Sequence, residues 1–267
     1  FEFLDFGKIA IPLIIICIIS VLIVIKLLIK KLKISTRMAY LISIGSTVCG
    51  TTAIMATAPV IKANKNEVSY AIANITLFGI LSMLLYPYFA NLYFDGNSLF
   101  AGLFLGTAIH ETSQVAAAGL IYDQQFDSPE TLNVATVTKL IRNTFLIVMI
   151  PLFAFLYNRG SVKEKNYSII NIFPFFVLGF IAMIILRNLG DEVFSTYKND
   201  IWIEIIDYIK FFSKIFLTMA MGAIGLSTNL KDIKIMGYKP FVVGFIAMLT
   251  VGIMCILTIE IYLRLFI

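Results

Sequence analysis

The stretch GTAIHETSQVAAAG, residues 106–119, places polar side chains in the middle of an apolar run. It holds the only histidine of the chain, His110, followed directly by Glu111. A charged side chain near the centre of a membrane helix costs at least about 2.5–3.5 kcal/mol, so it usually faces a cavity or a partner. A second stretch, GSTVCGTTAIMATAP at residues 45–59, is interrupted in the same way. Two such interruptions predict one shared functional site.

The composition indicates a membrane protein. Of its 267 residues, 60% are hydrophobic and 14% are charged, and the mean hydropathy is +0.93. Soluble domains have about 45–50% apolar and about 25% charged residues. We therefore predict an all-α polytopic membrane protein. The net charge of +5 comes from basic residues in short loops between apolar segments, a pattern that encodes membrane topology and does not indicate nucleic-acid binding.

Apolar segments long enough to cross about 30 Å of hydrocarbon recur along the chain. They predict about eight transmembrane segments in one integral membrane domain, residues 1–267, with a polar linker at 187–200. Either interrupted segment can instead be a re-entrant hairpin, which changes the count. The eight segments are 9–29, 38–61, 68–93, 99–121, 132–157, 167–186, 203–230 and 240–265.

The basic loops predict the orientation of these segments. Loops at 30–37, 158–167 and 231–239 are rich in lysine and arginine, which indicates that they are cytoplasmic and that both termini lie outside. With eight crossings, the loop at 62–67 is outside and the loop at 91–98 is inside. The 91–98 loop contains no lysine or arginine, so it gives this orientation no support.

Residues 45–87 and 106–151 share an order of features. In each, a polar break follows the first glycine, and a polar loop leads to a helix with Ala-Asn/Thr-x-Thr that ends at a proline. Membrane carriers are often built from repeats whose broken helices form the binding site. The likeness favours a repeat-containing secondary-transporter fold with two interrupted helices.

Several runs of the chain, in this order, resemble the YeiH family of bacterial inner-membrane proteins, which are often labelled sulfate exporters. The family pattern His-Asp-x-Ala-Gln-Val reads His-Glu-Thr-Ser-Gln-Val at 110–115, so a carboxylate remains on a longer side chain. The matching runs are CGTTAIMATAPVIKA at 49–63, AIANITLFGILSMLLYP at 71–87, GTAIHETSQVAAAG at 106–119, NVATVTKLIRN at 133–143 and GAIGLSTNL at 222–230.

This resemblance implies a multi-pass protein of the bacterial inner membrane. Because family members usually carry more membrane helices before the point that corresponds to Phe1, we expect some N-terminal helices upstream of this sequence. The family is in turn similar to the superfamily of cation–proton antiporters and bile-acid symporters. Interrupted helices cross at mid-membrane in that superfamily, so the resemblance implies the same for the two interrupted segments here.

A broken membrane helix exposes N–H groups where its second half begins and C=O groups where its first half ends. Each end carries about half a charge, so the pair can bind an anion and a cation. We expect the hydroxyls of Thr51, Thr52, Thr112 and Ser113 to cap the second halves. The alternative is that these hydroxyls bond to the preceding helical turn and have no functional role.

Four ionisable residues are candidates for the chemistry of the site. His110 and Glu111 can exchange a coupling proton, or Glu111 can contribute an oxygen ligand to sodium. Lys139 and Arg142 lie on one face of a helix and can form a cationic wall for an oxyanion. They can equally extend to the interface or neutralise Glu111.

We therefore expect a secondary transporter that moves a small sulfate-like or organic anion by alternating access, with a proton or sodium as coupling ion and no other cofactor. The alternatives are a passive anion channel and an intramembrane hydrolase. We do not expect an enzyme or a nucleic-acid partner; the partners are the anion and the lipid bilayer, and a homo-oligomer is compatible with the sequence. The candidate site residues are Cys49, Gly50, Thr51, Thr52, His110, Glu111, Thr112, Ser113, Gln114, Lys139 and Arg142.

Overall fold

The computed structural model describes residues 3–128, 130–158, 175–195, 200–227 and 237–266. All regular structure in these ranges is α-helical, as the sequence predicts. The helices are α1 (Phe3–Leu32), α2 (Thr36–Thr47), α3 (Thr51–Thr57), α4 (Lys65–Phe94), α5 (Ser98–Ala108), α6 (Thr112–Phe126), α7 (Thr131–Thr144), α8 (Leu146–Asn158), α9 (Phe175–Ser195), α10 (Asp200–Ser227) and α11 (Lys239–Phe266).

Within the described residues, four helical stretches are long and apolar enough to cross a membrane. They are α1, α4, the pair α7–α8 and α11, with spans Gly7–Leu32, Lys65–Phe94, Thr131–Tyr157 and Lys239–Arg264. The predicted count of about eight crossings is therefore not confirmed. The sixth and seventh predicted segments lie partly outside the described residues.

The segment α2–α3, which we call hairpin 1, turns back on itself. A Cβ atom added to Gly45 in α2 would lie 2.9 Å from Cδ1 of Ile54 in α3, so the two arms pack side by side. At the base, the Ser35 hydroxyl before α2 donates to Oε1 of Glu67 in the first turn of α4 at 3.0 Å. Hairpin 1 therefore starts and finishes at the same end of the molecule. The loop at 62–67, predicted to lie across the membrane from 30–37, is at that same end.

The segment α5–α6, hairpin 2, also returns to its starting point, but from the opposite end of α4. The hydroxyls of Ser98 and Ser128, at the two bases of the hairpin, are 2.7 Å apart. The Tyr122 hydroxyl in α6 donates to Oδ1 of Asn91, near the C-terminus of α4, at 3.3 Å. The bases of the two hairpins therefore lie at opposite ends of α4.

These two reversals change the predicted arrangement of the loops. Nε of Arg37 donates to the Tyr157 hydroxyl at 3.0 Å, and the Tyr70 hydroxyl donates to the carbonyl of Gly237 at 2.7 Å. The end of α8 and the start of α11 therefore lie at the Ser35 end of the molecule. The 91–98 loop, predicted to share a side with the basic 30–37 loop, lies at the other end of α4.

The predicted polar linker at 187–200 is helical over much of its length, because α9 continues to Ser195. The Arg187 guanidinium pairs with the Asp191 carboxylate at 2.7 Å, one turn further on. Nε1 of Trp202 in α10 donates to the same carboxylate at 2.8 Å. These contacts favour helix in a stretch that hydropathy assigns to a linker. The rest of the linker, 196–199, lies outside the described residues, as do most of the predicted basic loops at 158–167 and 231–239.

Helix α7 packs so closely against hairpin 2 that the backbones of the two segments are nearly in contact. A Cβ atom added to Gly106 in α5 would lie 2.4 Å from the carbonyl oxygen of Ala135, and one added to Gly102 would lie 2.5 Å from Val134. Small residues allow this close approach between membrane helices. As a result, the polar face of α7 is directed at the point where the hairpin tips meet.

Candidate functional site

The tip of hairpin 1 is residues 48–50, between the end of α2 at Thr47 and the start of α3 at Thr51. Gly50 has φ +63° and ψ −120°, a conformation that side chains rarely permit. A Cβ atom there would also lie 2.7 Å from Oε1 of Glu111. Glycine is required at this position both for the turn and for the approach of the second hairpin.

The tip of hairpin 2 is residues 109–111, between the end of α5 at Ala108 and the start of α6 at Thr112. Ile109 and Glu111 have extended backbone, with ψ 139° and 141°. The two predicted interruptions are therefore confirmed as breaks between helices. A helix of twelve residues such as α2 is about 18 Å long, close to half of a bilayer of about 30 Å. A tip at that depth lies near mid-membrane when the hairpin base is at the surface.

The Glu111 carboxylate joins the two tips. Oε1 of Glu111 accepts a hydrogen bond from the backbone N–H of Thr51 at 2.9 Å and a second from the Thr51 hydroxyl. The carboxylate thus lies at the N-terminus of α3, where a negative charge is stabilised by the free N–H groups. Glu111 is buried, with 6% of its surface exposed.

The predicted hydroxyl caps are wrong. The N-cap residues of α3 and α6 are Gly50 and Glu111, and neither makes a side-chain cap hydrogen bond. The tip of hairpin 1 needs glycine for its backbone conformation, so no side chain is available there. The carboxylate of the other hairpin bonds to the Thr51 N–H instead.

The Lys139 ammonium is fully buried, and within the described residues its hydrogen bonds all go to backbone carbonyls. Nζ donates to the carbonyl of Val48 at 3.0 Å, to that of Ile109 at 2.8 Å, and to that of His110. An ammonium has three N–H donors, so all of them are used. Lys139 therefore links the two tips through their backbone carbonyls.

The Arg142 guanidinium, one turn further along α7, continues this pattern. Nε donates to the carbonyl of Thr47 at 3.0 Å, and Nη2 donates to that of Ser46. Nη1 donates to the carbonyls of Thr107 at 2.7 Å and Ile109 at 3.0 Å. Four of the five guanidinium N–H donors are thus bonded to the ends of α2 and α5.

The physical reason for this pair of buried cations is the meeting of two C-terminal helix ends. The last carbonyls of a helix have no partner within the helix, and each end carries about half a negative charge. Here both ends meet inside the protein, so the cations supply hydrogen bonds and charge together. Among the described residues, neither Lys139 nor Arg142 is within ion-pair distance of a carboxylate.

The remaining candidates surround the tips. His110 and Cys49 are buried, whereas Thr52 is exposed and Thr112 and Ser113 are partly exposed. Nε2 of Gln114 donates to the carbonyl of Thr76 in α4 at 3.2 Å, and the Gln114 amide lies in the space that a side chain at Gly79 would occupy. Of the eleven candidates, four lie on the tips, namely Cys49, Gly50, His110 and Glu111, and three hydrogen-bond to tip residues, namely Thr51, Lys139 and Arg142. Thr52, Thr112 and Ser113 lie in the first turns of the helices that follow the tips. Gln114 instead fastens hairpin 2 to α4.

Sequence reasoning missed three contributors to the site. The carbonyl of Thr107 accepts from Arg142, Nδ2 of Asn143 donates to the Thr112 hydroxyl at 3.3 Å, and Gly79 accommodates Gln114. The position of Thr107 could have identified it from the sequence. It lies in the last helical turn before the break, where backbone carbonyls have no partner within the helix. His110, predicted to exchange a proton, is buried, and neither ring nitrogen has a hydrogen-bond partner in the described part of the chain.

Comparison with known proteins gives the family. The family model described as "Conserved hypothetical protein 698" matches residues 1–244. The chain belongs to this family. Its members include proteins named UPF0324 membrane protein, and the resemblance to YeiH proteins drawn from the motifs is thereby confirmed.

The similarity to individual UPF0324 relatives extends over most of the chain. A UPF0324 membrane protein of Fusobacterium nucleatum subsp. nucleatum is 36% identical over 263 residues, which is 94% of this chain and 75% of the relative. One from Streptococcus agalactiae serotype V is 37% identical, covering 89% of this chain and 69% of the relative. One from Clostridium tetani is 32% identical, covering 85% and 66%. No solved structure matches. The chain is thus a member of a family of membrane proteins.

Proposed function

We propose that this UPF0324 protein is a secondary transporter that moves a small anion by alternating access, coupled to protons or sodium. The observation that carries the proposal is the meeting of two opposed hairpin tips around the buried cations Lys139 and Arg142. Broken helices that meet at mid-membrane are the recurrent binding architecture of secondary transporters. Buried ionisable groups in such a place mark a transport pathway by default.

The charge at the tips favours an anion. The two C-terminal ends carry about one negative charge together, and the two N-terminal ends about one positive charge, so the helix ends nearly cancel. The two positive charges of Lys139 and Arg142 then face one negative charge, that of the Glu111 carboxylate, which leaves a net charge of about +1 among these three buried side chains. A net positive charge away from water is costly. An anion bound at the tips would offset that charge.

We place the anion on the accessible side of the tips, beside Thr52, Thr112 and Ser113, whose side chains are exposed or partly exposed. The first turn of α6 adds backbone N–H groups at this surface. Lys139 has no donor left for a ligand. In this proposal the buried cations therefore attract the anion through their charge, while hydroxyls and N–H groups bind it.

The opposed hairpins supply a physical basis for alternating access. Each unit, α2–α4 and α5–α8, consists of a hairpin followed by a crossing helix, and the two units run in opposite directions. We propose that these units form an inverted repeat, corresponding to the likeness of residues 45–87 and 106–151. Related halves in opposite orientation allow the same site to be approached from each side.

Transport in proteoliposomes tests the proposal. Proteoliposomes that contain the purified protein would be loaded with unlabelled sulfate, another oxyanion or a small carboxylate. Uptake of the same anion in labelled form from the outside would then be followed. A carrier shows counterflow, in which internal unlabelled substrate accelerates uptake, and a passive channel does not. We expect counterflow for at least one anion. Anion flux without counterflow would favour the channel, and no flux for any anion would contradict the proposal.

A further inference from the structure

The carbonyls at the two tips form the kind of site that transporters offer to a coupling cation. In secondary transporters, the C-terminal ends of half-helices and unwound carbonyls coordinate sodium, which takes oxygen ligands as other hard cations do. Here six such carbonyls converge, and all six accept hydrogen bonds from α7. They are those of Ser46, Thr47, Val48, Thr107, Ile109 and His110.

The donors are part of the chain and fixed in position. Lys139 and Arg142 are 0% and 2% exposed. Helix α7, which carries them, packs on Gly102 and Gly106 with no room for even one added carbon. A free cation could take this place only if the ammonium or guanidinium left it, and either would then be buried without partners, at high cost.

We propose that Lys139 and Arg142 hold, as fixed side chains, the positions that a coupling sodium would occupy, so that this protein neither binds nor needs sodium at the tips. The inference rests on the proposed function, which leaves protons and sodium as the two candidate coupling ions. It excludes sodium, so the proton is the coupling ion. Removal of the Lys139 ammonium should therefore open a sodium site formed by the carbonyls of Val48, Ile109 and His110.

Thermal unfolding of purified protein tests this claim without a transport assay. Tm would be measured in sodium chloride and in N-methyl-D-glucamine chloride at equal ionic strength, so that screening is constant. We expect the same Tm for the wild type in both salts. Lys139→Ala should be less stable overall, but sodium should raise its Tm, because a cation that binds only the folded state stabilises it. Lys210→Ala, the exposed control, should show no difference between the salts.

A saturable, sodium-specific rise in the wild-type Tm would overturn the inference, as would the absence of any sodium effect in Lys139→Ala. If Lys139→Ala cannot be purified, Lys139→Asn, which is also shorter than lysine, replaces it, and the wild-type measurement stands by itself. Anion uptake in sodium-free proteoliposomes completes the test. Uptake that requires sodium contradicts the inference. A protein that transports nothing but behaves as expected in the unfolding experiment refutes the proposed function while the assignment of the cation positions stands.

Discussion

Replacement of Lys139 by methionine should destabilise the protein far more than replacement of an exposed lysine. Methionine keeps a long, unbranched side chain but removes all donors and the charge. The three hydrogen bonds of Nζ, to Val48, Ile109 and His110, are lost. The carbonyl of Ile109 still accepts from Arg142 at 3.0 Å. The carbonyls of Val48 and His110 keep no other partner among the hydrogen bonds described above.

The size of the loss follows from those two carbonyls. A buried acceptor left without a donor costs about 1–3 kcal/mol. Two of them predict a decrease of about 2–6 kcal/mol in the free energy of unfolding for Lys139→Met. The apolar methionine recovers part of this through burial, so the lower half of the range is expected. Lys210→Met, where the lysine pairs with Asp207 on an exposed helix face, should cause little change.

The assay is unfolding of the purified variants in mixed micelles with increasing sodium dodecyl sulfate, followed by circular dichroism. Both variants replace lysine by methionine in a helix, so differences in composition and helix propensity cancel. If Lys139→Met and Lys210→Met lose the same free energy of unfolding, then the Nζ hydrogen bonds to the tips contribute nothing, and the reasoning about the C-terminal helix ends is refuted.

Three further perturbations test other parts of the site. Glu111→Gln keeps an oxygen that can accept from the Thr51 N–H but removes the charge, so we expect a folded protein whose anion uptake no longer responds to a proton gradient in proteoliposomes; an unchanged response would exclude Glu111 from coupling. Gly50→Ala, at φ +63° and against Glu111, should lower the unfolding free energy by about 1–3 kcal/mol, whereas Gly7→Ala, where the nearest atom is 4.0 Å away, should not; equal effects would contradict the strained tip. Ser98→Cys combined with Ser128→Cys, whose hydroxyls are 2.7 Å apart, should form a disulfide detectable by mass spectrometry, while Ser20→Cys with Ser128→Cys should not; no bond in the first pair would contradict the closed base of hairpin 2.

Much of the site could be predicted because polar and charged residues inside an apolar membrane segment are costly, and such residues usually have a partner or a function. The interruptions at 45–59 and 106–119 were visible as polar runs in apolar segments, and the structure shows a helix break in each. Lys139 and Arg142 were visible as charges on one face of a membrane helix. The cost of burying such groups without partners made both residues candidates for the site, with extension to the interface or neutralisation of Glu111 as the equal alternatives.

The direction of the chain after each break could not be predicted, because hydropathy measures how long an apolar segment is and not where it returns. The reversal of hairpin 1 brings Ser35 into contact with Glu67, and that of hairpin 2 brings Ser98 into contact with Ser128. The residues of each pair are about thirty positions apart in sequence. One signal was present: a loop at 91–98 without basic residues is unexpected on the inside.

The partners of the cations were also beyond sequence reasoning. Lysine and arginine suggest carboxylates or an anion as partners, because those are the charged groups that the sequence displays. The acceptors are instead backbone carbonyls, which every residue has and which become available only where a helix ends. The role of Lys139 and Arg142 as a cationic wall for an anion stays a prediction, now restricted to the effect of their charge.

Labelling of single cysteines from each side of the membrane tests the two opposed hairpins most directly. In a variant without Cys17, Cys49 and Cys255, one cysteine at a time would replace an exposed residue at a hairpin base. The positions are Lys33 and Asn66 for hairpin 1, and Asp95 and Glu130 for hairpin 2. A membrane-impermeant maleimide would be applied to intact cells and to inverted vesicles. We predict that positions 33 and 66 react from one side and positions 95 and 130 from the other. Reaction of 33 and 66 from opposite sides would show that α2–α3 crosses the membrane and would contradict the account.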